Sequence, residues 1–251
     1  MKLKRIKKIE QYIYQNGSVS LDELCETFNV SKNTIRRDIN QLEKNGNLKK
    51  VYGGVIANKT SLIPFENRTI QNQQEKQSIA YTASTFIEEN DLVFIDSGTT
   101  TRRMLDVIDN NKTFTVLTNS LDIINAVSGL NNIQLIVIGH KYKRGTQSFV
   151  GIDEDDSINR YNINKAFMSA TGVSIKHGLT NADILETEIK KHVAKRASEL
   201  YLLADFSKFG KSTLLTYAKL TDVKCIITNE CLPTEYVSYC TDNNIKIKYS
   251  K

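Results

Sequence analysis

Arg36 and Arg37 stand side by side in the stretch Val30-Ser31-Lys32-Asn33-Thr34-Ile35-Arg36-Arg37-Asp38-Ile39-Asn40-Gln41-Leu42. At helical spacing Ile35, Ile39 and Leu42 share one face, while Lys32, Asn33, Arg36, Arg37 and Asn40 share the other, with Ser31 placed to cap the start. A guanidinium reaches two phosphate oxygens or the acceptor edge of guanine, and a carboxamide pairs with adenine. The polar face therefore has the chemistry of a major-groove reader. A basic amphipathic helix can equally be a solvated face, so the neighbouring elements must decide.

A second group comes after a short apolar run, Leu92-Val93-Phe94-Ile95, and reads Asp96-Ser97-Gly98-Thr99-Thr100-Thr101. Glycine lets the backbone turn closely, threonines offer hydroxyls, and a helix starting here would present unpaired amides; together these suit a phosphate or carboxylate. The plainer reading is a helix cap with extra threonines. Similar polar clusters end later apolar runs: Thr118-Asn119-Ser120, Gly139-His140-Lys141 with Lys143 and Arg144, Thr171-Gly172, and Asp205-Phe206-Ser207-Lys208-Phe209-Gly210. If they converge, they describe a pocket for a small phosphorylated polyol or sugar. Glu186 and Lys190 have i,i+4 spacing and read as a surface pair; alternatively Glu188 or Lys190 turns toward the pocket.

The elements around Arg36 favour nucleic acid. Ile6, Ile9 and Ile13 mark a first helix over residues 3 to 15, stopped by Asn16-Gly17. Ser18-Val19 bridges to Ser20, which with Glu23 makes a capping box for a second helix carrying Leu21, Leu24 and Phe28. Asn29-Val30 leaves room for a tight turn, as in a helix-turn-helix. Beyond Gly46, Leu48 to Tyr52 and Val55-Ile56 pair across Gly53-Gly54 as a wing, whose Lys49 and Lys50 would neutralise phosphate charge. Residues 58 to 74, polar and containing Pro64, read as a linker, with Ile63, Phe65 and Ile70 expected to cover some surface.

From Glu75 onward the pattern changes to alternating strand and helix. Apolar runs at Leu92–Ile95, Phe114–Leu117, Leu135–Ile138, Ala166–Ser169, Tyr201–Ala204 and Cys225–Ile227, with the alternating Ile245–Tyr249, imply an open α/β unit of five to seven strands. Ligands in such sheets gather at the carboxyl ends of the strands. The expected organisation is therefore a winged helix-turn-helix at residues 1–57, a linker at 58–74 and an α/β effector and oligomerisation domain at 75–251.

Composition agrees with that division. The chain has 251 residues and a formal net charge of +6. Residues 1 to 57 hold 11 Lys or Arg against 6 Asp or Glu, a net of +5, so nearly all the excess lies in the first quarter. No apolar run is long enough for a signal peptide core or a membrane span, which points to the cytoplasm. Four cysteines without a Cys-x-x-Cys pair read as reduced thiols, and three scattered histidines, His140, His177 and His192, give no metal site.

Taken together, Gly17 to Leu24, Val30 to Asp38, Leu42 to Gly46, Val51-Tyr52-Gly53-Gly54 and the later Asp96, Thr118 and Asp205 motifs resemble the DeoR family of bacterial transcription regulators over nearly the whole chain. The resemblance implies an effector domain related in fold to ribose-5-phosphate isomerase, and a dimer or tetramer that represses a sugar or polyol operon until a phosphorylated intermediate releases it. It implies DNA contacts by Arg36 and Arg37, and with the helix start and the wing the expected DNA-facing set is Ser31, Lys32, Asn33, Thr34, Arg36, Arg37, Lys49 and Lys50. It implies effector contacts by Asp96, Gly98, Thr99, Thr100 and Lys208; the strand-end clusters add Thr118, Asn119, Ser120 and Gly172 to the expected effector site and the following helix adds Glu188 and Lys190, with no catalytic residue, metal or cofactor expected. His140 stands where the family often has a second glycine. Within the family the likeness is to regulators of myo-inositol catabolism, through Met1-Lys2-Leu3 and Val30 to Thr34, with a phosphorylated keto-deoxy-gluconate as effector. The alternatives are a dual activator and repressor, or a sugar-phosphate isomerase in which Lys208, Asp96, Asp205 and Glu188 move protons.

Overall fold

A computed structural model describes residues 2–16, 18–44, 48–57, 65–109, 111–151 and 158–250. The helix stops expected at Gly17 and Gly46, and the Ile63-Pro64 stretch, lie outside the described residues. The chain divides into two compact units, Met1–Gln71 and Asn72–Lys251.

The first unit runs α1 (Lys2–Asn16), β1 (Ser18–Ser20), α2 (Leu21–Phe28), α3 (Lys32–Lys44), β2 (Leu48–Val51), β3 (Gly54–Ala57) and α4 (Phe65–Ile70). Ile6, Ile9 and Ile13 of α1, Leu24 of α2, and Ile35, Ile39 and Leu42 of α3 are buried in one cluster with Val19, Leu48 and Val55. Each such side chain contributes about 1.5–3 kcal/mol when fully buried. The helical spacing of these apolar residues is thus what closes the three helices on one another.

Local chemistry sets the turns. The Ser20 hydroxyl accepts from the Glu23 N–H at 3.0 Å, and Asn29, left-handed at φ 48°, ends α2. The expected capping box is only half formed, because the Glu23 carboxylate instead accepts from the Tyr12 hydroxyl at 3.0 Å. Ser18 and Val19, expected as a bridge, form β1 and pair antiparallel with β3. The wing is therefore a three-stranded sheet in the order β1-β3-β2. Gly54 permits that pairing, since a Cβ there would lie 2.6 Å from the Val19 carbonyl oxygen. The stretch read as linker is helical at Phe65–Ile70, where Phe65 is buried.

The second unit begins with α5 (Gln73–Ser84) and β4 (Leu92–Ile95), then a 3₁₀ turn (Thr101–Asp106), β5 (Phe114–Thr118), α6 (Leu121–Val127) and β6 (Ile133–Val137). A hairpin of β7 (Lys141–Lys143) and β8 (Ser148–Val150) comes next, then β9 (Lys165–Met168), β10 (Gly172–Ser174), β11 (Gly178–Asn181) and α7 (Ile184–Arg196). The chain ends with β12 (Glu199–Leu203), β13 (Leu215–Ala218), β14 (Cys225–Thr228), α8 (Thr234–Asp242) and β15 (Lys246–Tyr249). Seven of these strands form one sheet in the order β15-β14-β12-β9-β4-β5-β6, parallel throughout. They are the seven runs expected from the sequence. Separate apolar clusters, one around Phe94, Met168 and Leu202 and one around Ile95, Phe167 and Leu203, cover the two faces.

Strand order reverses between β4 and β9. From β4 the chain builds outward through β5 and β6, then returns to β9 and builds the other way. Such a reversal opens a crevice at the strands' carboxyl ends, where ligands of open α/β sheets bind. The antiparallel sheet β10-β11-β13 and the β7-β8 hairpin were not expected. Their strands are three or four residues long and lack a continuous apolar run.

The opposite, amino-terminal edge of the sheet is tied by a buried lysine. Lys165 Nζ lies 2.7 Å from Asp91 Oδ2 and 2.6 Å from Glu88 Oε2. Burial alone would lower the Lys165 pKa, but the hydrogen bonds and charges of Asp91 and Glu88 outweigh it and raise it above the ordinary 10.5. A group whose folded pKa is raised stabilises fully below its unfolded pKa and loses that contribution as pH rises through the folded one. The urea midpoint should therefore fall from about pH 10.5 upward, and fall less in Lys165→Arg, which keeps its charge there. Parallel alkaline profiles for the two proteins would remove Lys165 from the explanation.

Candidate functional site

On α3 the two faces separate as their residue types require. Ile35, Asp38, Ile39 and Leu42 are buried, whereas Lys32, Asn33, Arg36, Arg37, Asn40 and Gln41 are exposed. Asp38, the acid within the basic stretch, points inward and holds Arg5 of α1 through Nε–Oδ2 at 2.8 Å and Nη2–Oδ1 at 3.3 Å. Its charge is thereby spent on fastening α1 to α3. The Ser31 hydroxyl lies 3.0 Å from Thr34 Oγ1 and accepts from its N–H at 3.3 Å, so Ser31 and Thr34 shape the start of α3.

Arg36, Arg37 and Lys49 have no acceptor among the described residues. Lys32 is held by Asp22 at 2.6 Å and Lys50 by Glu43 at 2.5 Å, with all four side chains substantially exposed. Exposed pairs of this kind are worth about 0–1 kcal/mol, so a phosphate can displace either carboxylate. Tyr52, expected as a strand residue, sits in the turn between β2 and β3 with 108% relative exposure. The unit thus presents a helix with free guanidinium groups beside a basic wing with an aromatic tip.

In the second unit the crevice between β4 and β9 carries a buried ionic network. Asp96, directly after β4, is 1% exposed, and Lys190 of α7 is 4% exposed. Lys190 Nζ lies 2.5 Å from Asp96 Oδ2 and 3.0 Å from the Ser169 carbonyl oxygen, and stands 5.2 Å from the centre of the Tyr217 ring. Asp96 Oδ2 also accepts from the Ser169 N–H at 3.0 Å and its hydroxyl at 2.5 Å. The Tyr217 hydroxyl donates to the Ser169 carbonyl at 2.9 Å. Burial first, and then the Asp96 charge, hold the Tyr217 phenol well above its usual pKa, so it serves as a donor.

A second carboxylate enters from the same helix. Glu186 Oε1 accepts from the Ser97 hydroxyl at 3.1 Å and the Ser148 hydroxyl at 2.8 Å, while Oε2 accepts from Asn181 Nδ2 at 3.4 Å. Asp183 caps α7 through the Leu185 and Glu186 N–H groups, both at 3.1 Å, and is paired with Lys143 of the hairpin. The buried face of α7 is therefore Glu186, Thr187, Ile189, Lys190 and Val193. Glu186 and Lys190 are not the surface pair that their spacing suggests, since each binds other partners in the crevice.

Gly98 is required by space. A Cβ there would lie 2.2 Å from Ser169 Oγ and 2.5 Å from Ser169 Cβ. Gly98→Ala is expected to cost about 1–3 kcal/mol, as overpacking a tight interior does, and Ser169→Gly in the same chain should recover part of it. Urea unfolding of the two variants checks this, and an unchanged Gly98→Ala midpoint would contradict the packing. Shortly after Gly98 the chain makes a six-residue 3₁₀ turn, not the α-helix expected from the sequence. The Thr101 hydroxyl folds back onto the carbonyls of Asp96 at 2.6 Å and Gly98 at 2.9 Å. The main-chain N–H groups of Ser97, Gly98, Thr99 and Thr100 have no acceptor among the described residues. Successive free amides of this kind form a concave anion site without a helix behind them.

The remaining expected contacts divide. Thr99 and Thr100 are buried beside these amides. The Thr118 hydroxyl is committed to Ile95 O at 2.7 Å and to the Ser120 N–H at 3.1 Å, and Ser120 caps α6. Asn119 Nδ2 donates to Phe149 O at 3.0 Å, while its buried Oδ1 has no partner among the described residues. Gly172 is fixed by the Lys211 carbonyl oxygen, 2.7 Å from where a Cβ would be. Glu188 does not face the crevice; it pairs with Lys191 at 3.3 Å on the open side of α7. Lys208 comes after β12, separated from β4 by β9, and lies 3.7 Å from Asp205 Oδ2, so it is not part of the Asp96 network. His140 is exposed, with its ring against Gly151. Sequence reasoning missed Ser148, Ser169, Asn181 and Tyr217, and read Glu186 as a surface residue.

Comparison with known proteins places both units. Residues 5–61 match the DeoR-like helix-turn-helix domain and residues 71–230 the DeoR C terminal sensor domain. The chain belongs to the DeoR family of transcription regulators. It is 62% identical over 248 residues to the HTH-type transcriptional regulator IolR of Bacillus subtilis, covering 98% of this chain and 99% of that protein. It is 30% identical over 239 residues to the L-fucose operon activator of Haemophilus influenzae, covering 94% and 96% of the two. A solved structure similar to part of it is ribose 5-phosphate isomerase A of Methanocaldococcus jannaschii, at 18% identity over 55% of each chain and a TM-score of 0.41. No helix among the described residues is long and apolar enough to cross a membrane. The protein is a DNA-binding transcription regulator.

Proposed function

We propose that this regulator represses an operon of myo-inositol catabolism and leaves its operator when a phosphorylated intermediate, of the keto-deoxy-gluconate kind, occupies the crevice between β4 and β9. The 62% identity to the Bacillus subtilis regulator supports the pathway. The observation that carries the ligand class is the set of unpaired amides at Ser97 to Thr100 beside the buried Lys190. Those amides would hold the phosphate. Thr99 and Thr100 supply hydroxyls around it, and Asn119 Oδ1 supplies an acceptor for a ligand hydroxyl. Gly98 gives the backbone its close approach to Ser169.

A single helix-turn-helix covers too little DNA for high specificity, so a dimer or tetramer would present paired α3 helices to operator half-sites. Effector and operator would then favour different arrangements of the oligomer and weaken each other's binding reciprocally. A coupling of ~3 kcal/mol changes operator affinity about a hundredfold. The test is fluorescence anisotropy at fixed salt with DNA from upstream of the gene and of adjacent catabolic genes. A phosphorylated keto-deoxy-gluconate should displace the operator, whereas its unphosphorylated form and inorganic phosphate should not. Operator occupancy unchanged at saturating compound would refute release.

A further inference from the structure

The parallel sheet ends at β6 on one side and at β15 on the other. Backbone groups alternate in direction along a strand, so an edge strand turns half of its N–H and C=O groups away from the sheet. At the end of β6 the Ile138 N–H donates to Thr118 O at 3.0 Å, which places Gln134 and Ile136, in the same phase, toward β5. Ile133, Leu135 and Val137 therefore point their backbone groups outward, and β6 pairs with β5 alone among the described residues. The hairpin that comes next leaves this edge open. It folds back over the end of β5, where the Phe149 N–H donates to Asn119 O at 2.7 Å and Ser148 bridges Ser120.

The two edges differ in charge. In β15 the Lys246 and Ser250 N–H groups bond inward to Lys224 O at 3.1 Å and Thr228 O at 2.8 Å, so Ile247 is the central outward residue. Antiparallel pairing of β15 with its own copy about Ile247 would set the exposed Lys246 opposite Lys248 of the copy. Like charges directly opposite destabilise a pair, and lysine is a common guard on a sheet edge. No such guard is present in β6, which reads Ile-Gln-Leu-Ile-Val. Val137 is 45% exposed, and Leu135 and Ile136 are only partly buried, one against each of the two apolar clusters. Both faces of β6 thus carry apolar surface that its own unit leaves uncovered.

We propose that β6 is an interface with a second copy of this chain, the two β6 strands pairing antiparallel about a twofold axis at Leu135. The strand is self-complementary in that register. Leu135 faces Leu135 of the second copy, Ile133 faces its Val137, and Gln134 faces its Ile136. The outward N–H and C=O groups of Ile133, Leu135 and Val137 then exchange hydrogen bonds, as opposed residues of an antiparallel pair do. On one face Ile133, Leu135 and Val137 of both copies join in a single apolar row, and no charge opposes another. A contact of this kind uses the same patch on both subunits and closes with two copies. The sheet becomes continuous through both sensor units. None of this depends on which effector the crevice takes.

The test uses the full-length protein and two variants. Val137→Pro removes an N–H that no bond to β5 uses and sets a ring where the second strand would lie; proline is tolerated on a free edge. Val137→Lys keeps the backbone and puts a charge into the apolar row. Light scattering over a dilution series reads the assembly, and amide exchange resolved at single residues reads the edge. In wild type, a dimer or tetramer, the Ile133 and Leu135 amides should exchange roughly tenfold or more slowly than those of Ile247 and Tyr249 on the other edge. Both variants should keep the wild-type circular dichroism, lose that protection, and come apart at protein concentrations roughly tenfold or more above wild type. A monomeric wild type overturns the pairing, and so do β6 amides that exchange as fast as those of β15. Protection that persists in both variants means that another segment or another partner covers β6, which overturns it equally.

Discussion

Replacing Lys190 by Met is expected to destabilise the sensor domain by about 3–5 kcal/mol, the usual loss when one partner of a buried ion pair is removed and the other remains. Lys190 is the ammonium that reaches Asp96, and both side chains are almost wholly buried. After the replacement the Asp96 carboxylate keeps the Ser169 N–H and hydroxyl, but two neutral donors do not offset an uncompensated charge. The control is the double variant Asp96→Asn with Lys190→Met. A carboxamide oxygen still accepts from Ser169, neither member of the pair leaves an uncompensated charge behind, and most of the lost stability should return. Urea midpoints of the wild type and the two variants measure this. A single variant as stable as wild type would mean that Asp96 reaches solvent or another cation when Lys190 is gone. The double variant carries the functional readout as well: it should fold, bind operator, and lose the response to a phosphorylated ligand.

The same pair shows what the sequence could and could not tell. All seven strands of the parallel sheet were legible because each is a short apolar run with a turn at its end, and burial on both faces demands little else. The ends of those strands were legible for the same reason, so Asp96 and Asn119 were found. Strand order is not written in such runs. Lys208 looked equivalent to Asp96 until the topology put β9 between β12 and β4. Helix α7 was harder because its inner face is polar. Ile189 and Val193 are its clearest core residues, and stepping back three from Ile189 leads to Glu186, not to Glu188. That phase was available in the sequence, but the i,i+4 spacing of Glu186 and Lys190 reads just as well as a solvent-exposed pair. The hairpin and the β10-β11-β13 sheet escaped because strands of three or four residues carry too little periodicity to register.

Arg36 and Arg37 make the opposite case, in which stability should not move and function should. Both are exposed on α3 and bind no acceptor among the described residues, so alanine at either position should leave the folded unit and its helical content unchanged. Operator affinity should fall by about 1–3 kcal/mol for an arginine that reads guanine, which is roughly 5- to 150-fold, and less for one that holds phosphate. Salt dependence distinguishes the two roles. Losing a phosphate contact lowers the slope of log affinity against log salt by about 0.9 and weakens all sequences alike, while losing a base contact narrows the gap between operator and random DNA. Lys49→Ala, on the wing, provides the reference for a pure phosphate contact. The Asp38 ion pair makes the assignment sharper: Asp38, the acid next to Arg37 in the chain, is turned inward to Arg5, and Glu43, the other acid of α3, is paired with Lys50 of the wing. Operator and random DNA binding that both match wild type, in each single arginine variant and in the double, would show that α3 is not the recognition helix.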